Sequence, residues 1–141
     1  MTTPSLINRS RQILASRDIR PSAQRVAILG YLLVNKTHPT ADEIHQALLP
    51  RMPHLSLTTV YNTLRLMADH KAIRVLEMDH RQAHFDYAHT PHAHIWCRCC
   101  GRIADVELPA LPTGPECDGF AIDETELYYK GLCPDCLRSD T

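Results

Sequence analysis

Through the first half of the chain, apolar residues recur at helical spacing between proline and cap signals. Leu6, Ile7, Ile13 and Leu14 form a weak amphipathic stretch. After Asp18-Ile19-Arg20-Pro21, the segment Ser22–Asn35 sets Val26, Leu29, Leu32 and Leu33 on one face. Pro39 ends any continuation, and Thr40-Ala41-Asp42-Glu43 is a capping-box pattern opening a helix that carries Ile44, Leu48 and Leu49. Pro50 and Pro53 break it, and Ser56 caps a further helix from Leu57 to about Asp69. Two extended runs follow, Ile73–Met78 and Gln82–Tyr87, separated by Asp79-His80-Arg81. Three or four helices followed by a hairpin is the order of a winged helix-turn-helix. Past a candidate hinge at His89-Thr90-Pro91 the pattern changes. His94–Cys97 and Arg102–Glu107 read as strands around Cys97–Gly101, residues 109–119 as a loop, and Phe120–Leu132 as a long strand running into Cys133-Pro134-Asp135-Cys136. The fold class expected is α+β, with a winged helix over residues 1–87, a hinge at 88–91 and a small α/β module over 92–141.

Composition sharpens this division. The 141 residues are 44% apolar and 22% charged, as in soluble globular proteins, and the formal net charge is −1. The two halves differ. Residues 1–81 carry eleven Lys/Arg against six Asp/Glu, whereas residues 82–141 carry four against ten. A basic half suits a phosphate polymer, and an acidic half suits metal cations. The longest apolar run, around Ile28–Val34, falls far short of the ~20 residues needed to span a bilayer. The polar first ten residues have no apolar core of signal-peptide length, so a cytosolic protein without membrane attachment is expected.

In a reducing compartment, clustered thiols point to metal or redox chemistry rather than disulfides. Cys97-x-x-Cys100 and Cys133-x-x-Cys136 form two knuckles with 32 residues between them. Two intervening residues let both sulfurs of a tight turn face one tetrahedral ion at ~2.3 Å. Four thiolates leave no open position, so a structural zinc is expected. Gly101 follows the first knuckle, where positive φ would favour glycine. Trp96-Cys97-Arg98-Cys99-Cys100 also matches, superficially, the WCxxC site of thiol oxidoreductases. That chemistry needs Cys97 at a helix N-terminus and leaves the second pair without a role. Cys99 is an alternative partner for Cys97, and Cys117 has none by spacing.

His92 and His94 alternate on one strand face, with Asp86 six residues before His92 and Asp105 five after Cys100. Imidazole with carboxylate suits first-row divalent metals, although each residue alone has an ordinary surface explanation. On the Leu57–Asp69 helix, Leu57, Val60, Leu64 and Met67 form a core stripe, while Thr58, Tyr61, Asn62 and Arg65 share another face. Such a face is either simply solvated or a reader of base edges and phosphates. The hairpin order and the basic charge favour DNA.

With these residues assembled, the sequence resembles the ferric uptake regulator family of bacterial metal-dependent transcription factors. The resemblance is carried by Asp18-Ile-Arg-Pro-Ser-Ala-Gln-Arg25, by Leu57-Thr-Thr-Val-Tyr-Asn-Thr-Leu64, and by Phe85-Asp86 with His92-Ala-His94-Ile-Trp-Cys97-x-x-Cys100-Gly101 and Cys133-x-x-Cys136. It implies that residues 92–141 are a dimerisation domain, and that the protein is a homodimeric, non-enzymatic repressor on an AT-rich inverted repeat. The DNA contacts it implies fall on Arg20, Thr58, Thr59, Tyr61, Asn62 and Arg65. It implies one structural zinc per subunit on Cys97, Cys100, Cys133 and Cys136, and one regulatory iron or manganese ion on His38, Asp86, His92, His94 and Asp105. The family's peroxide-sensing branch carries Asp where iron-uptake sensors usually carry Glu, and this sequence has Asp86 and Asp105. The resemblance therefore implies that hydrogen peroxide is the signal, with iron-catalysed oxidation of His38 or His92 releasing the operator. Phe120–Tyr129 contains no His, so the additional metal site of some relatives is expected to be missing. Three alternatives remain: an iron-responsive regulator that does not sense peroxide, a thiol redox enzyme using Cys97 and Cys100, and a zinc-stabilised interaction module that does not bind DNA.

Overall fold

A computed structural model of the chain describes residues 4–77, 82–87, 92–110, 118–122 and 125–139. The chain falls into two compact units, Met1–Ala88 and His89–Thr141.

The first unit contains α1 (Pro4–Ser16), α2 (Ala23–Val34), α3 (Ala41–Leu48), α4 (Leu57–Asp69), β1 (Arg74–Leu76) and β2 (His84–Asp86). The caps expected at Thr40 and Ser56 are made, and Ser22 caps α2 as well. The hydroxyl of Ser22 accepts from the Arg25 N–H, and that of Ser56 from the Thr59 N–H. At α3, the Thr40 side chain accepts from the Glu43 N–H while the Glu43 carboxylate accepts from the Thr40 N–H, a complete capping box. Leu14, Ile28, Leu29, Leu32, Ile44, Leu48, Val60, Leu64 and Met67 are essentially sealed from water and form one core. Leu6 and the buried Ser10 of α1 come close to Gly30 of α2, and the Ser10 hydroxyl donates to the Leu6 carbonyl. The β1 and β2 strands pair antiparallel, with Arg74 opposite Asp86 and Leu76 opposite His84. This hairpin is the wing after the helices. Its strands are shorter than the extended runs in the sequence, and the Asp79–Arg81 turn lies outside the described residues.

The second unit contains β3 (His92–Cys97), β4 (Ile103–Glu107), β5 (Tyr128–Gly131) and α5 (Pro134–Ser139), with the sheet in the order β4-β3-β5. β3 runs antiparallel to β4 and parallel to β5. Two expectations are corrected here. The long strand over Phe120–Leu132 contracts to Tyr128–Gly131, the four residues whose backbone pairs with His94–Cys97 of β3. Asp118 and Gly119, both at positive φ, make a turn ahead of it. The second knuckle also opens a short helix that the sequence reading missed. Pro134 at its first position and Asp135 in its first turn were the available signals. The hinge at 88–91 and Cys117 lie outside the described residues. Among those described, no helix is long and apolar enough to cross a membrane.

Candidate metal centres and nucleic-acid interface

Cys97 closes β3, and Cys100 sits in the turn that follows, where Gly101 at φ +79° lets the chain reverse. Cys133 and Cys136 bracket the start of α5. Strand end and helix start thereby bring four sulfurs within 4.8 Å of one another. The Cys100 and Cys133 sulfurs are 3.8 Å apart, which is the edge of a tetrahedron whose centre lies ~2.3 Å from each corner. The Cys133 N–H donates to the Cys97 sulfur at 3.3 Å, and the Cys136 N–H to the Cys133 sulfur at 3.5 Å.

These donors separate the thiols in acidity. The Cys100 N–H, and then the Cys133 N–H, hold the Cys97 thiol down at about 6. The Cys136 N–H lowers Cys133. The Cys136 thiol is pushed up by the adjacent Cys133 and Cys97 sulfurs. Four sulfurs this close cannot all ionise without a cation among them, and a divalent ion reverses that balance. The donor set therefore fits zinc with no position left open. The thiol-redox alternative asks for Cys97 at a helix N-terminus, whereas it stands at the end of a strand. Cys99 is exposed.

The histidine and carboxylate candidates form one pair in each unit. In the first, buried His38 and Asp86 place Nε2 and Oδ2 3.9 Å apart. That is too long for a hydrogen bond and within the ~4.2 Å that an ion with ~2.1 Å bonds to both could span. His38 sits at φ +57° in the loop before α3, and Asp86 ends β2. In the second unit, His94 Nδ1 lies 2.9 Å from Asp105 Oδ1. β3 and β4 create this contact by placing the two residues directly opposite each other. Without an ion, a carboxylate oxygen can only accept, so Nδ1 would carry the proton; the same separation also suits two neighbouring ligand atoms at right angles around an ion ~2.1 Å from each. The Tyr128 ring stands 6.1 Å from that of His94. His92 has its backbone in β3, opposite Glu107, but its side chain lies outside the described residues.

On α4, Val60, Leu64 and Met67 are buried, while Thr58, Tyr61, Asn62 and Arg65 are exposed and Thr59 is half-buried. Arg20, also exposed, joins Thr59 and Asn62 on an open cleft of about 420 Å³ between the start of α2 and the face of α4. Arg25, quoted in the sequence only as part of a motif, lines the same cleft and donates from Nη1 to the Arg20 carbonyl at 2.8 Å. Its signal was the five-residue step from Arg20 across the Ser22 cap. A second residue missed by the sequence reading is His84, buried on β2 with Nδ1 2.7 Å from the His38 carbonyl.

With this geometry in place, comparison with known proteins is specific. The sequence profile of the ferric uptake regulator family matches residues 16–128. The peroxide-responsive repressor PerR of Staphylococcus saprophyticus is 36% identical over 127 residues, covering 87% of this chain and 86% of that protein. The solved structure of PerR from Streptococcus pyogenes, described as the basis for peroxide sensing and gene regulation, is 26% identical with a TM-score of 0.53, covering 93% of this chain and 92% of that one. The Helicobacter pylori ferric uptake regulator, at 21% identity, shares the fold with a TM-score of 0.75 over 100% of this chain and 97% of its own. The chain belongs to the ferric uptake regulator family.

Proposed function

We propose that the protein is a metal-dependent transcriptional repressor that senses hydrogen peroxide. In this reading, residues 1–87 read DNA, residues 92–141 pair two subunits, and residues 88–91 connect them. The observation that carries it is that each unit contributes its own histidine–aspartate pair, His38 with Asp86 and His94 with Asp105. Those four residues and His92 would hold one regulatory ion, with Asp rather than Glu at both carboxylate positions. An ion held by ligands of both units favours one arrangement of the reading face relative to the dimer, which couples metal occupancy to operator affinity.

Bound ferrous iron would supply the one-electron chemistry that makes peroxide an oxidant beside the imidazoles, which manganese does not. His38 and His92 are the rings that would take up the oxygen. A ring so modified is a poor ligand, and losing it uncouples the units. Thr58, Thr59, Tyr61, Asn62 and Arg65 of α4 would meet base edges and phosphates, with Arg20 beside the cleft. The polymer partner is double-stranded DNA with an AT-rich inverted repeat, read by a homodimer. Exposed apolar side chains of the second unit support pairing: Ile95, Phe120, Ile122, Tyr129, Leu132 and Leu137 are all open to solvent in one subunit. On this reading the protein is a regulator rather than an enzyme.

The test is operator binding by the iron-loaded and manganese-loaded forms, each before and after hydrogen peroxide, with mass spectrometry of the peptides containing His38 and His92. Peroxide should release only the iron-loaded form and add one oxygen to one of those peptides. Unmodified peptides with undiminished DNA binding would instead identify an iron-responsive regulator that does not sense peroxide.

A further inference from the structure

His38 is a non-glycine residue in left-handed backbone, φ +57°, and it is 97% buried, at 3% exposure. A side chain rarely adopts this conformation unless its surroundings impose it, and such residues gather at functional sites. Pro39 follows, which restricts residue 38 further by its ring. The constraint has two visible components, both on β2. The Phe85 N–H donates to the Pro39 carbonyl at 2.9 Å, continuing the strand onto the loop. One residue earlier, the buried His84 ring sets Nδ1 2.7 Å from the His38 carbonyl. A carbonyl only accepts, so this contact requires the proton on Nδ1. Residues 84 and 86 alternate onto the same face of the strand, so the residue gripping the His38 backbone and the residue facing its ring stand side by side.

We infer that His84 is a positioning residue for the regulatory metal: its Nδ1–H fixes the His38 carbonyl, and with it the backbone conformation that turns the His38 imidazole toward Asp86. The inference rests on the reading of His38 and Asp86 as metal ligands. It goes beyond that reading by assigning a metal-affinity role to a histidine that binds no metal itself. Outer partners of metal ligands typically change affinity by 10–100-fold when removed. Asparagine and leucine separate orientation from bulk. The Asn side chain can place an N–H near the position of Nδ1, the Gln side chain reaches past it, and Leu fills the space with no donor.

The experiment is manganese titration of the full-length, zinc-containing chain as wild type, His84→Leu, His84→Asn, His38→Ala and Asp86→Ala, with thermal melting of each. Manganese affinity of His84→Leu should fall about tenfold or more, whereas His84→Asn should stay within about threefold of wild type. Wild-type affinity in His84→Leu, or equal losses in Leu and Asn, overturns the inference. Should the Leu variant fail to fold, nitrogen NMR of the wild-type ring decides the matter. An Nδ1–H tautomer upholds the assignment and an Nε2–H tautomer removes it. If His38→Ala and Asp86→Ala leave manganese binding intact, the metal-site reading itself fails. If they abolish it while His84→Leu does not, only the role of His84 falls.

Discussion

Cys97 shows how much the backbone contributes to a metal site. Its sulfur sits where the N–H groups of Cys100 and Cys133 converge, and its thiol is held at about 6. Because this pKa lies below the ~8.5 of an unfolded cysteine, the thiolate favours the folded second unit. Thr40 illustrates the same economy at a helix end. Both halves of its capping box are made, so Thr40→Ala should cost about 1 kcal/mol, read as a drop in melting temperature.

Among the elements, α4 divides its labour by face. Leu64 is fully buried, and Leu64→Ala should destabilise the first unit by about 2–5 kcal/mol in denaturant unfolding. Arg65 is exposed one residue further on, so Arg65→Ala should leave melting unchanged and weaken operator binding by about 1–3 kcal/mol in a gel-shift titration. Equal affinity in that variant would favour an interaction module that does not bind DNA. Where α1 approaches α2, a Cβ on Gly30 would lie 3.6 Å from Leu6 and Ser10 atoms, ordinary van der Waals contact. Gly30→Ala should thus stabilise the helix by about 0.5–1 kcal/mol.

At the level of the whole molecule, the two units are stabilised by different means. The first has an extensive apolar core. In the second, Ala93, His94 and Cys97 are the buried side chains among the described residues. So small a core leaves its fold to zinc, whose contribution is on the order of 10 kcal/mol in small zinc domains. Strong chelation should therefore abolish the strand signal of the second unit while the helical circular dichroism of the first persists. Regulation is smaller in energy than folding. On the proposed reading, moving the units almost completely between two arrangements would need only about 5.5 kcal/mol of differential metal binding, which the loss of one ligand could remove.

Local rules made much of this protein legible in its residues. Periodicity and caps located the four helices, because helix formation depends on neighbours three and four positions away, and Leu57–Asp69 is delimited by its own Ser56. The CxxC spacing announced zinc because both sulfurs of a knuckle lie within one turn. Tertiary structure alone decided the rest. The length of β5 depended on where the chain comes alongside β3, a fact held nowhere in Phe120–Leu132 itself. Asp105 met His94 because two strands align them across eleven positions, and His84 reached His38 across 46. Sequence fixes which chemical groups are present and their local geometry, but contacts between distant residues exist only once packing has offset the entropy of bringing them together.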